Sequence, residues 1–158
     1  MNEVIFKKCK KIFIEKLYDY DFPWIDLSKN SLIDQIFIKI FRVKNIQSKK
    51  YLSVKEEKII DTYIDIINYI IIMLIQTEAK KIQNISHKQV IILYNNKIIS
   101  IKRYLNDCLC IKTSPSIKDL LNKIWYLKSN KSISIERLQH ISFKMIYKII
   151  LLSKIMNK

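Results

Sequence analysis

Not one glycine occurs among the 158 residues of the chain, and this limits its fold more than any other feature of the sequence. Tight hairpins, phosphate-cradling loops and dinucleotide-binding fingerprints all depend on glycine. The sequence therefore excludes a P-loop or a Rossmann domain. It favours helices that are joined by connections rich in serine, asparagine and lysine.

Four serines carry a pattern that is typical of helix starts. An acidic residue or a glutamine follows each of them three positions later, so that the two side chains can cap the first turn of a helix. The pattern predicts helix starts at Ser31, Ser53, Ser86 and Ser116. It places breaks near residues 19–29, 47–52, 84–86 and 110–115. We therefore expect an all-α chain.

The segment Ser31–Asn45 has the clearest helical pattern. At about 100° per residue, one side of the helix is apolar and consists of Leu32, Ile33, Ile36, Phe37, Ile40, Phe41 and Val43. The other side carries Asp34, Lys39 and Arg42. These charges are either a capping acid and a solvated surface, as on most helices, or a site for a phosphate-bearing ligand. Arginine would offer the phosphate a planar fork and lysine a point charge.

A third helix, predicted to end near Gln83, carries a narrow polar stripe on an otherwise apolar surface. The stripe consists of Glu57, Asp61, Asp65 and Asn68, which recur at helical spacing. It is either the solvent-facing edge of a buried helix or one wall of a cleft, where stacked carboxylates would bind Mg²⁺. Because unpaired buried carboxylates are costly, a cleft needs cations opposite. We expect an antiparallel hairpin in which an aspartate of the stripe lies within salt-bridge reach of Lys39 or Arg42.

The order of elements in the first half of the chain recurs in the second half. Each half has a helix, a loop, a helix opened by Ser-x-x-Asp and a long apolar helix. We interpret the chain as a helical bundle of two related three-helix repeats, residues 1–83 and 84–158. In the second repeat Lys144 and Lys148 stand where acids or asparagine are expected. We expect this degraded copy to pack on the first and support it.

The formal net charge of +15 raises the question of a nucleic-acid partner. The lysines are spread along the whole chain, whereas a dedicated binding surface would cluster them. The residue bias also matches that of an AT-rich genome. We therefore expect weak, non-specific nucleic-acid binding that collapses as salt rises. The sequence leaves a monomer and a homo-oligomer open.

Cysteines and apolar runs bear on the compartment of the protein. Cys9, Cys108 and Cys110 form neither a disulfide framework nor a zinc spacing, which suits reduced and inert thiols. The lysine-rich N-terminus does not resemble a signal peptide. The strongest apolar run, Ile66–Ile75, is shorter than the ~20 residues of a membrane span. We expect a cytoplasmic protein with no membrane partner.

Three segments of the first half stand out by their residues: Lys16–Trp24, Ser31–Lys44 and Ile66–Gln76. Together they resemble the nucleotide modification associated domain 1 family. The chain departs from the family pattern at Asp21, where the pattern has glycine, and at Ile25, which replaces a usual arginine. The resemblance implies a link to nucleotide metabolism. The chain is also similar in style to the all-α nucleoside triphosphate pyrophosphohydrolases, which place helix-borne acids around Mg²⁺.

Two functional hypotheses follow for the chain. In the first, it binds or processes a nucleotide or a nucleotide-derived small molecule, with Asp34, Lys39, Arg42 and Asn68 at the ligand and its phosphates. Mg²⁺ would then be held by Glu57, Asp61 and Asp65 and would assist phosphate chemistry. In the second, the chain is a non-enzymatic basic helical interaction domain or a relic that binds polyanions by charge. The sequence does not decide between an enzyme and a binding protein.

Overall fold

The computed structural model describes residues 2–49, 56–108 and 114–156, and the side chains of Glu56, Glu57 and Lys58 lie outside that description. In these ranges the chain forms six α-helices and one 3₁₀ turn. They are α1 (Asn2–Tyr20), the 3₁₀ turn (Pro23–Asp26), α2 (Lys29–Ser48), α3 (Glu56–Lys80), α4 (His87–Asp107), α5 (Ile117–Ser129) and α6 (Ile135–Met156). The predicted all-α helical bundle is confirmed. That its halves are related repeats stays a prediction.

The start of α2 differs from the predicted one. Ser28 caps the helix: its backbone is extended and its hydroxyl accepts the Ser31 N–H at 3.0 Å. The prediction that Ser31 is the cap was therefore wrong by one turn, because either serine can supply the hydroxyl and the chain is already helical from Lys29. Asp34 lies one turn inside α2 and is not a capping acid. Its carboxylate contacts Lys128 on α5 instead.

The other helix boundaries agree more closely with the sequence pattern. Ser86 and Gln89 form the predicted capping box, and the Ser116 hydroxyl accepts the Asp119 N–H at 3.2 Å. The predicted start at Ser53 lies outside the described residues. α1 continues to Tyr20, into the predicted break, and α3 ends at Lys80, three residues before Gln83.

Helix α3 is the central element of the bundle. It packs against α1, α2, α4, α6 and the 3₁₀ turn, while α5 lies against α2 and α6. α2 and α3 form the expected antiparallel hairpin: Lys39 lies opposite Asp65, and farther along α2 Gln47 donates to the Tyr63 hydroxyl at 3.4 Å. Because α3 has neighbours on nearly every side, most of its apolar surface is buried in the core.

The length of α3 also meets a criterion for membrane helices. Among the described residues, Ile59–Lys80 is the one segment that is long and apolar enough to cross a bilayer. However, 72% of its most apolar stretch is buried inside the protein. The core helix of a bundle has the same composition, so this segment is weak evidence for a membrane span.

The apolar face predicted for α2 is largely correct. Leu32, Ile33, Ile36, Ile40 and Val43 are all buried. Phe41 departs from the pattern, since 40% of its surface is exposed, and Ile46 is buried although it follows the charged residues. The difference arises because α2 contacts both α3 and α5, so its buried surface is wider than one face.

Candidate functional site

A cleft of about 410 Å³ opens between α1, the 3₁₀ turn, α2 and α3. Aromatic and aliphatic side chains form most of its wall, and a few polar side chains converge on it. The lining consists of Phe13, Lys16, Leu17, Tyr20, Asp21, Pro23, Trp24, Leu27, Gln35, Asp65, Asn68, Tyr69 and Ile72. A small apolar cleft with a few placed polar groups is the usual form of a small-molecule site.

The outer wall of the cleft is the 3₁₀ turn, which Gln76 holds in place. The Gln76 side chain is buried on α3 and its Nε2 donates to the carbonyl oxygens of Trp24 at 2.7 Å and Leu27 at 2.6 Å. Lys80, one turn later, approaches the Leu27 carbonyl at 3.4 Å. The Trp24 carbonyl also accepts the Leu27 N–H at 3.2 Å, so the side-chain bonds add to this backbone bond and tie the turn to α3.

The polar centre of the cleft is an ion-pair cluster around Asp65. Lys16 of α1 donates to Asp65 Oδ1 at 2.9 Å, and Lys39 of α2 donates to Asp65 Oδ2 at 3.0 Å. The predicted salt bridge between the facing polar sides of α2 and α3 is confirmed for Lys39 and Asp65. Lys16 was not predicted as part of it. Each carboxylate oxygen thus has its own cation.

These contacts set the ionisation of Asp65. Burial opposes the charged form, but the hydrogen bonds and charges of Lys16 and Lys39 outweigh it and hold the pKa of the carboxyl below its usual value. Asp65 is therefore ionised at neutral pH. Lys39 is fixed further, because its ammonium group also lies 5.2 Å from the centre of the Tyr69 ring.

Asn68 forms a buried hydrogen-bonded link at the floor of the cleft. Its Nδ2 donates to the Cys9 carbonyl of α1 at 3.1 Å, and its Oδ1 accepts the Tyr94 hydroxyl of α4 at 2.7 Å. Burial raises the pKa of Tyr94 far above its usual value, so the hydroxyl keeps the proton that it donates. Asn68 therefore joins three helices. Its predicted role at a ligand stays a prediction.

The Cys9 thiol, on the helix α1 that Asn68 contacts, has no nucleophilic character. Cys9 is fully buried, and burial raises its pKa to about 12. At neutral pH it is a protonated thiol, and only the thiolate is reactive. Cys108 is also a free, buried cysteine, whereas Cys110 lies outside the described residues.

Asp21, where α1 ends, shapes the rim of the cleft. Its φ is 58°, the left-handed region that glycine favours and that aspartate tolerates better than most residues. Its Oδ1 lies 2.9 Å from Nε2 of His87, the first residue of α4. The His87 ring also meets Tyr18 and Phe22 edge-on. The second half of the chain thus contributes to the rim through one histidine.

The remaining predicted site residues do not converge on the cleft. Asp34 is exposed and pairs with Lys128 on the α5 side of α2. Arg42 and Asp61 are exposed, line no part of the cleft and form no ion pair with any residue that the structure describes. The side chain of Glu57 lies outside the described residues.

The described side chains do not fit the expected Mg²⁺ site. Mg²⁺ binds through carboxylate oxygens, and both oxygens of Asp65 already accept from lysines. Within the described part of the chain, no group of three His, Cys, Asp or Glu side chains is placed to hold a metal ion. Because the side chain of Glu57 lies outside the described residues, the metal site stays a prediction.

Several residues of the cleft were not identified from their spacing. Lys16 falls among the apolar positions of α1, so the helical pattern gave it no separate role. Gln35 and Gln76 are single amides without a motif around them. The signal that could have found them is the resemblance itself, because Lys16, Gln35 and Gln76 all lie in the three segments that carry it.

Comparison with known proteins gives one match. Residues 16–77 match the family model described as nucleotide modification associated domain 1, which confirms the resemblance seen in the sequence. The match covers less than half of the chain, yet every lining residue of the cleft except Phe13 lies within it. No curated protein and no solved structure matches the chain.

Proposed function

We propose that the cleft binds a nucleotide or a nucleotide-derived small molecule. One observation carries the proposal. The three segments that carry the resemblance lie apart in the sequence within the matched range, and they come together on one aromatic-walled cleft. The name of the family associates it with nucleotide modification, and the cleft is the part of the matched region that is shaped to hold a ligand.

The side chains of the cleft suit the two ends of a nucleotide. Tyr20, Trp24 and Tyr69 supply aromatic faces, on which a nucleobase stacks with little sequence preference. Lys16 supplies an ammonium group beside them, and 54% of its side chain is exposed. A base between the aromatic rings would place an attached phosphate within the range of that lysine.

The test is a thermal-shift panel of nucleobases, nucleosides and nucleotides, each with and without Mg²⁺. A ligand at 100 times its Kd stabilises the folded state by about 2.7 kcal/mol. For a protein of this size that corresponds to a rise in Tm of roughly 5–10 °C. The Mg²⁺ arm tests the expected metal-assisted chemistry, since a site of this kind would bind triphosphates only with the cation.

The chain supplies a matched control for the location of binding. It has two tryptophans, Trp24 in the cleft and Trp125 on α5, where 51% of its surface is exposed. Trp24→Leu should abolish the nucleotide-dependent shift in Tm, and Trp125→Leu should retain it. A panel without any shift, or a shift that depends on Trp125 and not on Trp24, would refute the proposal.

A further inference from the structure

We infer that the cleft selects nucleotides with a single phosphate, nucleoside monophosphates, over diphosphates and triphosphates. The inference rests on the proposed function and adds the class of ligand. It follows from the number of cationic side chains that line the cleft and from the acidic side chains with which those cations are already paired.

The lining of the cleft has one cation and two carboxylates. Lys16 is the cation, and Asp21 and Asp65 are the acids. Lys39 lies behind the lining: only 22% of its side chain is exposed, and it is held by Asp65 and by the face of Tyr69. Arg42 is exposed elsewhere on α2. The cleft thus lacks the cluster of cations that a polyphosphate chain needs.

Lys16 has capacity for one phosphate group. An ammonium group has three N–H donors, and one of them bonds to Asp65 Oδ1 at 2.9 Å. Its position at an exposed edge leaves the others for a ligand. A phosphate monoester carries about −1.5 to −2 charges at neutral pH, which one lysine can partly offset. Each further phosphate would add negative charge beside Asp21 and Asp65 without a new partner.

A magnesium ion does not easily supply the missing positive charge. Both oxygens of Asp65 accept hydrogen bonds from lysines, and Oδ1 of Asp21 lies at 2.9 Å from His87. Two lysines thus already offset the charge of Asp65, and within the described residues no third His, Cys, Asp or Glu joins these acids in a group that could hold a metal ion. A cation bound with a triphosphate would take most of its ligands from the phosphates and from water, so the cleft gives the magnesium complex little advantage over the monophosphate.

The other end of the cleft suits a nucleoside. Tyr20, Trp24 and Tyr69 line it and come from three elements, the end of α1, the 3₁₀ turn and α3. Gln35 of α2 lines the cleft as well, and its side chain forms no hydrogen bond with another side chain or backbone group in the described ranges. Its amide retains a donor and an acceptor for the edge of a base.

The experiment is a calorimetric titration with the nucleoside, monophosphate, diphosphate and triphosphate of one base, chosen as the base with the largest shift in the thermal panel. Each nucleotide is titrated with and without Mg²⁺. The monophosphate should bind at least about tenfold more tightly than the triphosphate under both conditions, as expected for one unmatched charged group.

Lys16→Met separates the phosphate from the base. The variant should lose about tenfold or more in affinity for the monophosphate, since it lacks a charged hydrogen bond, and should bind the nucleoside as the parent does. Lys102→Met is the matched control. Lys102 also pairs with an acid, Glu3, at 2.9 Å, but it lies outside the cleft. Its affinities should equal those of the parent.

Three results would count against the inference, and they differ in what they leave standing. If the triphosphate with Mg²⁺ bound more tightly than the monophosphate, the selection would be refuted and the proposed function retained. If no nucleoside or nucleotide bound at all, both would be refuted. Equal loss of nucleoside and monophosphate binding in Lys16→Met would also contradict the assignment of Lys16 to the phosphate.

Discussion

The two long apolar helices, α3 in the first half and α6 in the second, use their polar residues in different ways. On α3, Asp65, Asn68 and Gln76 bond to α1, α2, α4 and the 3₁₀ turn. On α6, the Ser153 hydroxyl bonds to the Ile150 carbonyl of the same helix, and Ser142 is fully buried without a hydrogen-bond partner in the described part of the chain. The buried polar side chains of α3 thus bond to neighbouring elements, and the buried serines of α6 do not. The bonds from α6 to its neighbours come from partly exposed side chains, Gln139 and Lys148.

The long helices of the two halves also contribute opposite charges to their ion pairs. On α3 the carboxylate of Asp65 accepts from two lysines, whereas on α6 Lys148 donates to Asp119 of α5 at 3.1 Å. Burial and the nearby Lys148 and Lys144 lower the pKa of Lys123, against the attraction of Asp119. The cleft is lined by residues of the first half alone. The candidate site therefore belongs to the first half of the chain, and the second half contacts its rim through His87.

The largest expected effect comes from the buried amide on α3. Asn68→Ala removes the partner of the Tyr94 hydroxyl and of the Cys9 carbonyl, and it should lower the free energy of unfolding by about 2–3 kcal/mol. Urea denaturation of the variant and the parent measures this loss.

Ser142→Ala on α6 is the matched control for that prediction. It removes a buried hydroxyl that has no partner among the described residues, so stability should be unchanged or should rise by up to about 1 kcal/mol. Equal losses from Asn68→Ala and Ser142→Ala would remove the contrast between the two helices.

A smaller effect is expected at the ion-pair cluster. Asp65→Asn should destabilise the protein by about 1–2 kcal/mol at pH 7, because it weakens two charged hydrogen bonds in a partly buried position. Asp119→Asn should cost about 0.5 kcal/mol, because its carboxylate has one lysine partner and is 39% exposed. Denaturant curves of both variants at the same pH give the comparison.

The cost of Asp65→Asn should depend on pH. The pKa of Asp65 is lower in the folded state than in the unfolded chain, so its stabilising contribution is complete above its unfolded pKa of about 4. That contribution is lost as the pH falls through the folded-state pKa. The stability difference between parent and variant should therefore shrink below about pH 4. A difference that grew on acidification would contradict the ionised state of Asp65.

The smallest effect is expected at the rim, where the second half reaches the cleft. Asp21→Gly removes the steric cost of a left-handed backbone conformation, which favours the folded state. It also removes the contact with His87 and gives the unfolded chain more conformational freedom, and both of these effects oppose folding. The free energy of unfolding should therefore change by less than about 0.5 kcal/mol. Asn84 also has a positive φ, 49°, and no side-chain contact to a histidine among the described residues, and Asn84→Gly is the control. If Asp21→Gly were the more stabilising of the two, the histidine contact would contribute nothing.

Local patterns were sufficient for much of the fold. The capping pairs at Ser86 and Ser116 and the antiparallel contact between Lys39 and Asp65 follow from spacing along single helices, and the structure confirms them. The N-cap of α2 was predicted at the wrong serine, because Ser28 and Ser31 are the same residue type and either hydroxyl could cap the helix. Spacing along one helix does not show which other helices approach it.

The cleft could not be predicted from local patterns, because contacts between residues far apart in the sequence form it. Lys16 reaches Asp65, and Gln76 reaches the 3₁₀ turn, only because α1 and the turn pack on α3. No periodicity within α1 or α3 specifies those neighbours. Arg42, by contrast, matched the expected chemistry of a phosphate ligand yet lies outside the cleft, since a residue type alone does not determine which side of a helix meets its partner.

The most direct test of the central claim, that the first half holds a nucleotide site, uses the two tryptophans as internal reporters. Their indole N–H signals are followed by NMR during titration with the best-binding nucleoside monophosphate, and Trp24→Leu assigns the two signals. Trp24 lines the cleft, and Trp125 lies on α5 against Phe37. The account predicts a saturable shift of the Trp24 signal and an unchanged Trp125 signal. A Trp24 signal that stays constant, or a larger shift at Trp125, would contradict it.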